Sequence, residues 1–146
     1  MRAQLLDPGQ GRNVPVGADR MVVKGGDDAL TIVEYLAGGV GGPPLHVHHG
    51  NEEVFYVLEG EVDFSCDGVT RRLRAGGVAL VPREAVHTFA VAGDGRARWV
   101  GLFSPGRYVK LVEELGELLA KGAADPAAVA ALFARYDTDI VGPPLA

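Results

Sequence analysis

Short apolar runs separated by turn-forming residues fill most of the first hundred positions. Val62, Phe64 and Cys66 alternate with polar residues and therefore share one face of a strand. Asp67-Gly68 after them is typical of a hairpin turn, which makes Val69–Leu73 the return strand. Strand-like runs of this kind recur at Met21–Lys24, Ala29–Leu36, Leu45–His48, Glu53–Leu58, Val78–Val81, His87–Val91 and Ala97–Phe103. The pattern predicts an all-β sandwich or barrel.

The apolar spacing becomes helical beyond Pro105. Between Tyr108 and Lys121 the leucines and valines recur three or four positions apart, which predicts an amphipathic helix. Asp125 suits the N-cap of a second short helix, with Pro126 at its first helical position. We expect these helices to cover the sheet or a partner subunit.

Length and composition fit one β-rich domain. The chain has 146 residues, of which 21 are Gly and 9 are Pro. That share exceeds the usual value of about 12% and indicates a chain that turns often. We expect an N-terminal arm over residues 1–20, a β-barrel over 21–104 and a C-terminal helical segment over 105–146 that packs on the barrel or on a partner.

The net charge and the cysteine content of the chain limit the classes of partner that it can bind. The net charge is −5, so the sequence lacks the basic surface that nucleic acids require. No apolar run approaches the roughly 18 residues of a membrane span, and the first residues lack the apolar centre of a signal peptide. Cys66 is the single cysteine, which excludes an intrachain disulfide. These features predict a cytoplasmic protein that binds neither nucleic acid nor membrane.

The four histidines are clustered rather than scattered. His46 and His48 are two positions apart, so on a strand both point to one face. Glu53 opens the next strand, and His87 opens a later one. Imidazoles and a carboxylate that converge at one end of a sheet favour a metal site over surface histidines in a turn.

Two neighbouring residues are alternative ligands. If Glu53 points inward, strand parity turns Glu52 outward and points His49 away from His48. A β-bulge would reverse that phase and bring either residue into the ligand set.

These residues resemble the two motifs of the cupin superfamily. The first motif is matched at His46, His48, Glu53 and Gly60. The second is matched at Gly76, Pro82 and His87, with Glu84 in place of a glycine and Val91 in place of an asparagine. The resemblance implies a jelly-roll β-barrel, often dimeric, whose metal lies inside and is held by His46, His48, Glu53 and His87.

A looser resemblance links the C-terminal helices and the closing IVGPPL to small bacterial quercetin dioxygenase-like cupins. It implies a homodimer with one divalent transition metal per chain, and Fe, Mn, Ni, Co, Cu and Zn all accept such a ligand set. Glu53 is then either a ligand alone or also the base that takes a proton from an acidic hydroxyl. Both roles stay open at the level of sequence.

The favoured function is that of a metal-dependent enzyme acting on a small organic molecule by dioxygenase, quercetinase-like chemistry. Strand alternation turns Phe55, Val57, Phe64 and Phe89 inward, either as a substrate pocket or as barrel filling. One alternative is a non-redox cyclase or isomerase in natural-product or sugar metabolism. The other is a non-catalytic cupin that binds a small ligand.

Overall fold

Two antiparallel β-sheets and two short helices build the molecule in the computed structural model, which describes all 146 residues. The strands are β1 (Arg12–Val16), β2 (Asp19–Gly26), β3 (Thr31–Ala37), β4 (Pro44–His48), β5 (Glu52–Gly60), β6 (Val62–Cys66), β7 (Val69–Leu73), β8 (Val78–Val81), β9 (Val86–Val91), β10 (Ala97–Ser104) and β11 (Thr138–Pro144). A 3₁₀ turn (Gly106–Tyr108) leads into α1 (Val109–Ala120), and α2 (Pro126–Arg135) follows.

The sheets face each other as a jelly roll. One has the strand order β1-β2-β3-β10-β5-β8, and the other has β11-β4-β9-β6-β7. Strands distant in sequence therefore become neighbours, which brings β4 beside β9 and β5 beside β10. The predicted all-β barrel with a short C-terminal helical appendage is confirmed.

The C-terminal helices close one end of the barrel of their own chain. Asp125 caps α2, because its side chain accepts a hydrogen bond of 2.9 Å from the Ala128 N–H. Leu111 of α1 and Leu132 of α2 are buried in one apolar cluster with Met21 of β2. A second apolar cluster, centred on the aromatic residues of β5, β6 and β10, fills the barrel interior. No helix is long and apolar enough to cross a membrane.

Two strands lie where the sequence predicted none. Residues 12–16, expected within a loosely patterned N-terminal arm, form β1, which turns Val14 and Val16 toward the core. Residues 138–144, expected within a helical segment, form β11 and pair with β4. The prolines that hide β11 in the sequence are compatible with its place at the sheet edge, where no further strand needs their missing N–H groups.

Candidate metal centre

Three imidazoles meet inside the barrel. His46 and His48 project from β4, and His87 lies directly opposite His46 on β9. Their ring centroids are 4.3 to 4.9 Å apart, and one nitrogen from each ring lies within 4.8 Å of the others. All three are buried, with exposures of 5% or less. The antiparallel pairing of β4 and β9 therefore produces the cluster that the sequence spacing predicted.

Glu53 reaches the same cluster from the opposite sheet. Its Oε2 atom lies 3.4 Å from His48 Nε2 and 3.4 Å from His87 Nε2. Glu53 is 6% exposed, so its carboxylate is largely shielded from bulk water. The structure thus brings together all four residues predicted as ligands.

The outer nitrogen of each imidazole is tied to the protein. His46 Nδ1 donates to the Pro44 carbonyl at 2.7 Å, and His87 Nδ1 donates to the Ala85 carbonyl at 2.9 Å. A carbonyl oxygen only accepts, so the proton sits on Nδ1 and the lone pair on Nε2. This fixes the tautomer and orientation typical of histidines that ligate metals through Nε2.

Thr138 orients the third imidazole. Its hydroxyl donates to the Tyr136 carbonyl at 3.0 Å and therefore accepts from His48 Nδ1 at 2.8 Å. Thr138 is 1% exposed and comes from β11, the strand that the sequence pattern missed. Its role depends on pairing of β11 with β4, for which the local sequence gives no signal.

The electrostatics of the cluster keep a carboxylate charged among imidazoles. Burial raises the pKa of Glu53, but contacts with His48 and His87 outweigh it and hold that pKa well below its ordinary value. Burial, reinforced by the two neighbouring imidazoles, lowers the pKa of His46 to about 4. Burial also lowers the pKa of His87, but the Glu53 carboxylate outweighs it and the net shift is upward.

The donor set fits a divalent transition metal. His87 Nε2 is buried and makes no hydrogen bond, although it faces the centre of the cluster. A buried imidazole nitrogen without a partner is costly unless it binds something that the protein does not supply. Three imidazoles and one carboxylate are ligands that first-row divalent metals accept. The buried three-histidine cluster could therefore hold a metal.

A phenol that the sequence did not flag also enters the cluster. Tyr108, from the 3₁₀ turn before α1, is buried, and its hydroxyl lies 3.1 Å from His48 Nε2. Since His48 carries its proton on Nδ1, Tyr108 donates this hydrogen bond. Burial and the nearby charge of Glu53 raise the pKa of Tyr108 well above its usual value, so the phenol keeps its proton.

The two alternative ligands lie outside the cluster. Glu52 is paired with Arg83 on the surface at 2.8 Å. His49 is bonded through Nδ1 to Glu84 at 2.8 Å and through Nε2 to Asp139 at 2.9 Å. Its two nitrogens are therefore both engaged away from the metal ligands.

The turn at Glu84, where the sequence departs from the cupin motif, has a defined backbone conformation. Glu84 adopts φ of +68°, the left-handed region that favours glycine. Its N–H donates to the His48 carbonyl at 2.8 Å, which secures the turn before His87. The turn therefore forms without the family's glycine.

A cavity of about 470 Å³ extends from the cluster between the barrel and the helices. Ligand pockets of roughly 300–1,000 Å³ accommodate small organic molecules. Its wall is largely apolar and includes an aromatic pair, Tyr35 stacked on Trp99 with centroids 4.6 Å apart and planes 12° apart. Leu111 and Leu115 of α1 and Phe133 of α2 contribute the cover. The cavity thus suits a flat, apolar ligand.

The four residues predicted to form a substrate pocket lie in two different places. Phe55 and Phe89 line the cavity, whereas Val57 and Phe64 do not and are packed in the barrel core. Strand alternation gives the face on which a side chain lies but not its distance from the cavity. Val57 and Phe64 therefore belong to the filling of the barrel.

A second polar position in the cavity wall lies outside the histidine cluster. Asp19 accepts hydrogen bonds from the Tyr35 hydroxyl at 2.9 Å and from the Gly38 N–H at 2.8 Å. Both side chains line the cavity. With the Tyr35 proton already donated, the pair offers acceptors to a ligand and no donor.

Comparison with known proteins identifies the family. Residues 31–103, which are 73 of the 146, match the family model described as "Cupin domain", and this range includes every residue of the cluster except Tyr108 and Thr138. The chain is a member of the cupin family. Its relatives include a curated protein, polyketide synthase CurC from Streptomyces cyaneus, which is 40% identical over 60 residues. That match covers 41% of this chain and 39% of CurC, so the cupin spans about two fifths of the length of that relative.

Solved structures share the fold over most of the chain. An RmlC-like cupin from Shewanella frigidimarina NCIMB 400 is 25% identical, with a TM-score of 0.64, and the match covers 75% of this cupin and 96% of that chain. The polyketide cyclase RemF from Streptomyces resistomycificus is 20% identical, with a TM-score of 0.58 and coverage of 71% and 80%. The second likeness is one of fold alone.

Proposed function

We propose that this cupin is a metal-dependent enzyme that acts on a flat, enolisable small molecule. The observation that carries the proposal is the largely apolar cavity, whose wall includes His46, His87 and Glu53 of the buried donor cluster. His46, His48, His87 and Glu53 would hold one divalent transition metal per chain, and the set does not select among Fe, Mn, Ni, Co, Cu and Zn. A six-coordinate metal would keep about two positions open for substrate.

The protein side chains supply positioning and proton transfer. When bound, the metal would act as a Lewis acid on an enol or hydroxyl oxygen of the substrate. Glu53, once detached from the metal, would take the proton of that hydroxyl on its buried carboxylate. The Tyr35–Trp99 stack provides a flat face for the substrate ring, and Asp19 accepts a hydrogen bond from a hydroxyl remote from the metal.

Two chemistries fit this arrangement. One is quercetinase-like dioxygenation, in which the deprotonated substrate reacts with dioxygen. The other is non-redox cyclisation or isomerisation, in which deprotonation at the enol is sufficient. The second is favoured by the name of one relative, polyketide synthase CurC. A cupin that binds its ligand without turnover is the third outcome of the tests below.

Metal content tests the site itself. We expect about one equivalent of a transition metal in protein purified from its native host, measured by plasma mass spectrometry. His46→Ala with His48→Ala removes two ligands and should remove the metal. His49→Ala is the matched control, because this histidine follows His48 but bonds to Glu84 and Asp139 instead. Metal retained by the double variant would contradict the assignment.

Oxygen consumption separates the two chemistries. The metal-loaded enzyme would be mixed with flavonols, 1,3-dicarbonyls and aromatic polyketones while substrate loss and dissolved oxygen are followed together. Stoichiometric oxygen uptake supports dioxygenation, and substrate loss under argon supports cyclisation or isomerisation. Tight binding of these compounds with no turnover of any of them would indicate a ligand-binding cupin and contradict the enzymatic proposal.

A further inference from the structure

We propose that Tyr108 is a catalytic residue that donates its phenolic hydrogen bond to the substrate oxygen beside the four ligands. This inference rests on the proposed function, because it needs a substrate at that position. Tyr108 lies outside the residues matched by the cupin family model, and it enters the site from the turn that joins the barrel to α1.

Its hydrogen bonding requires a second acceptor once the site is filled. Tyr108 donates to His48 Nε2 at 3.1 Å, and this is the nitrogen that points away from Thr138 toward the other ligands. That lone pair cannot serve both a metal and a hydroxyl. Tyr108 is 5% exposed and lines the cavity, so an O–H that loses His48 turns toward the space that a ligand would fill. A buried hydroxyl without an acceptor is energetically unfavourable. A substrate oxygen at an adjacent open coordination position would supply the missing acceptor.

The phenol is held in place before any ligand arrives. Its ring packs edge-on against His48, with centroids 4.5 Å apart, and against Phe103 at 5.6 Å. The preceding turn is fixed at Gly106, whose N–H donates to the Asp28 carbonyl at 2.9 Å. A side chain at position 106 would meet the Asp27 carbonyl oxygen at 2.0 Å. The hydroxyl is therefore a preorganised donor of the kind that stabilises developing negative charge.

The donor character of Tyr108 defines the chemistry of its ligand. A phenol that keeps its proton recognises an acceptor, and the hydrogen bond is strongest when that acceptor carries negative charge. Enolate, phenolate and carbonyl oxygens meet this condition, whereas an ammonium or amide N–H does not. Tyr108 would therefore stabilise a substrate oxygen that carries negative charge beside the four ligands.

Two binding measurements on Tyr108→Phe test the inference. Apo-protein is first titrated with Co(II), and the Co(II)-loaded protein is then titrated with 3-hydroxyflavone, a flat enol, by fluorescence. Phenylalanine keeps the ring packing and removes only the hydroxyl. Tyr136→Phe is the matched control, because Tyr136 also lies among the C-terminal elements but its hydroxyl bonds to Glu114, away from the cluster.

We expect Tyr108→Phe to bind Co(II) at least as tightly as wild type, since the hydroxyl no longer competes for His48 Nε2. Binding of 3-hydroxyflavone should weaken by about ten- to a hundred-fold, as expected for loss of a hydrogen bond to a charged oxygen. Tyr136→Phe should match wild type in both titrations. Equal 3-hydroxyflavone affinity in wild type and Tyr108→Phe would overturn the inference. A tenfold loss of Co(II) affinity would also overturn it, because Tyr108 would then be a metal ligand.

The outcomes also separate this inference from the proposed function. If wild type binds neither Co(II) nor 3-hydroxyflavone, the metal-dependent function fails and the role of Tyr108 fails with it. If wild type binds both and Tyr108→Phe behaves identically, only the role of Tyr108 fails.

Discussion

Replacing Thr138 by valine tests whether β11 holds a metal ligand in place. The change keeps the shape of a buried side chain but removes the acceptor of His48 Nδ1–H and the donor to the Tyr136 carbonyl. Two buried polar groups lose their partners, so we expect the free energy of unfolding of the apo-protein to fall by about 1–3 kcal/mol. Loss of an outer hydrogen bond to a ligating histidine should weaken metal binding about 10- to 100-fold.

The two effects need separate measurements and one control. Urea unfolding of the apo-protein gives the stability, and competition for Zn(II) with a chromophoric chelator gives the affinity. Thr31→Val is the control, since Thr31 is also buried and donates to the Asp27 carbonyl but makes no hydrogen bond to an imidazole. We expect Thr31→Val to lower stability and leave Zn(II) affinity unchanged. If Thr138→Val binds Zn(II) as tightly as Thr31→Val does, the orienting role of β11 is refuted.

Three further predictions follow from the same structure. A metal whose free concentration is a thousand times its Kd should stabilise the folded state by about 4 kcal/mol. A chelator that removes the metal should therefore lower the Tm. An unchanged Tm would contradict a metal bound only by the folded site. Gly42→Ala should lower stability and displace the cavity-lining segment around Gly42, because a Cβ there would meet the Phe89 carbonyl oxygen at 1.8 Å. Unchanged urea unfolding and protease resistance would show that this segment adapts to the side chain. The chain should form a homodimer through the outer face of the larger sheet, where Leu80 is 67% exposed beside Val54. Light scattering should show that Leu80→Glu shifts the mass toward the monomer while Leu5→Glu does not. A wild-type monomer would refute the dimer.

The ligand cluster could be predicted because its information is local in the sequence. The two-residue spacing of His46 and His48 fixes a common face on any strand, and Glu53 and His87 each sit at the start of a strand-like run. The repeated strand-and-turn pattern limited the fold to a barrel or sandwich. The fold supplies the pairing of β4 with β9 and the facing sheet that carries Glu53, and the cupin resemblance implied only that the four residues share a site.

The groups around the ligands could not be predicted because they depend on distant pairing. Thr138 reaches His48 only when β11 adds to the edge of a sheet ninety residues away in sequence. Tyr108 reads as the first residue of an amphipathic helix, and helical periodicity does not show that its hydroxyl points into the barrel. The position of Val57 and Phe64 in the barrel core could not be predicted for a related reason, since the two-residue period of a strand does not show how far a side chain lies from a cavity.

X-ray absorption at the metal K edge of the purified protein shows whether these four side chains hold a metal. We expect about one metal per chain in wild type, with three imidazole nitrogens and the remaining near ligands oxygen. His87→Ala should lose one imidazole from the spectrum and His49→Ala none. A wild-type spectrum with sulfur in the coordination shell, or with fewer than three imidazoles, would contradict the assignment of His46, His48, His87 and Glu53 as the metal site.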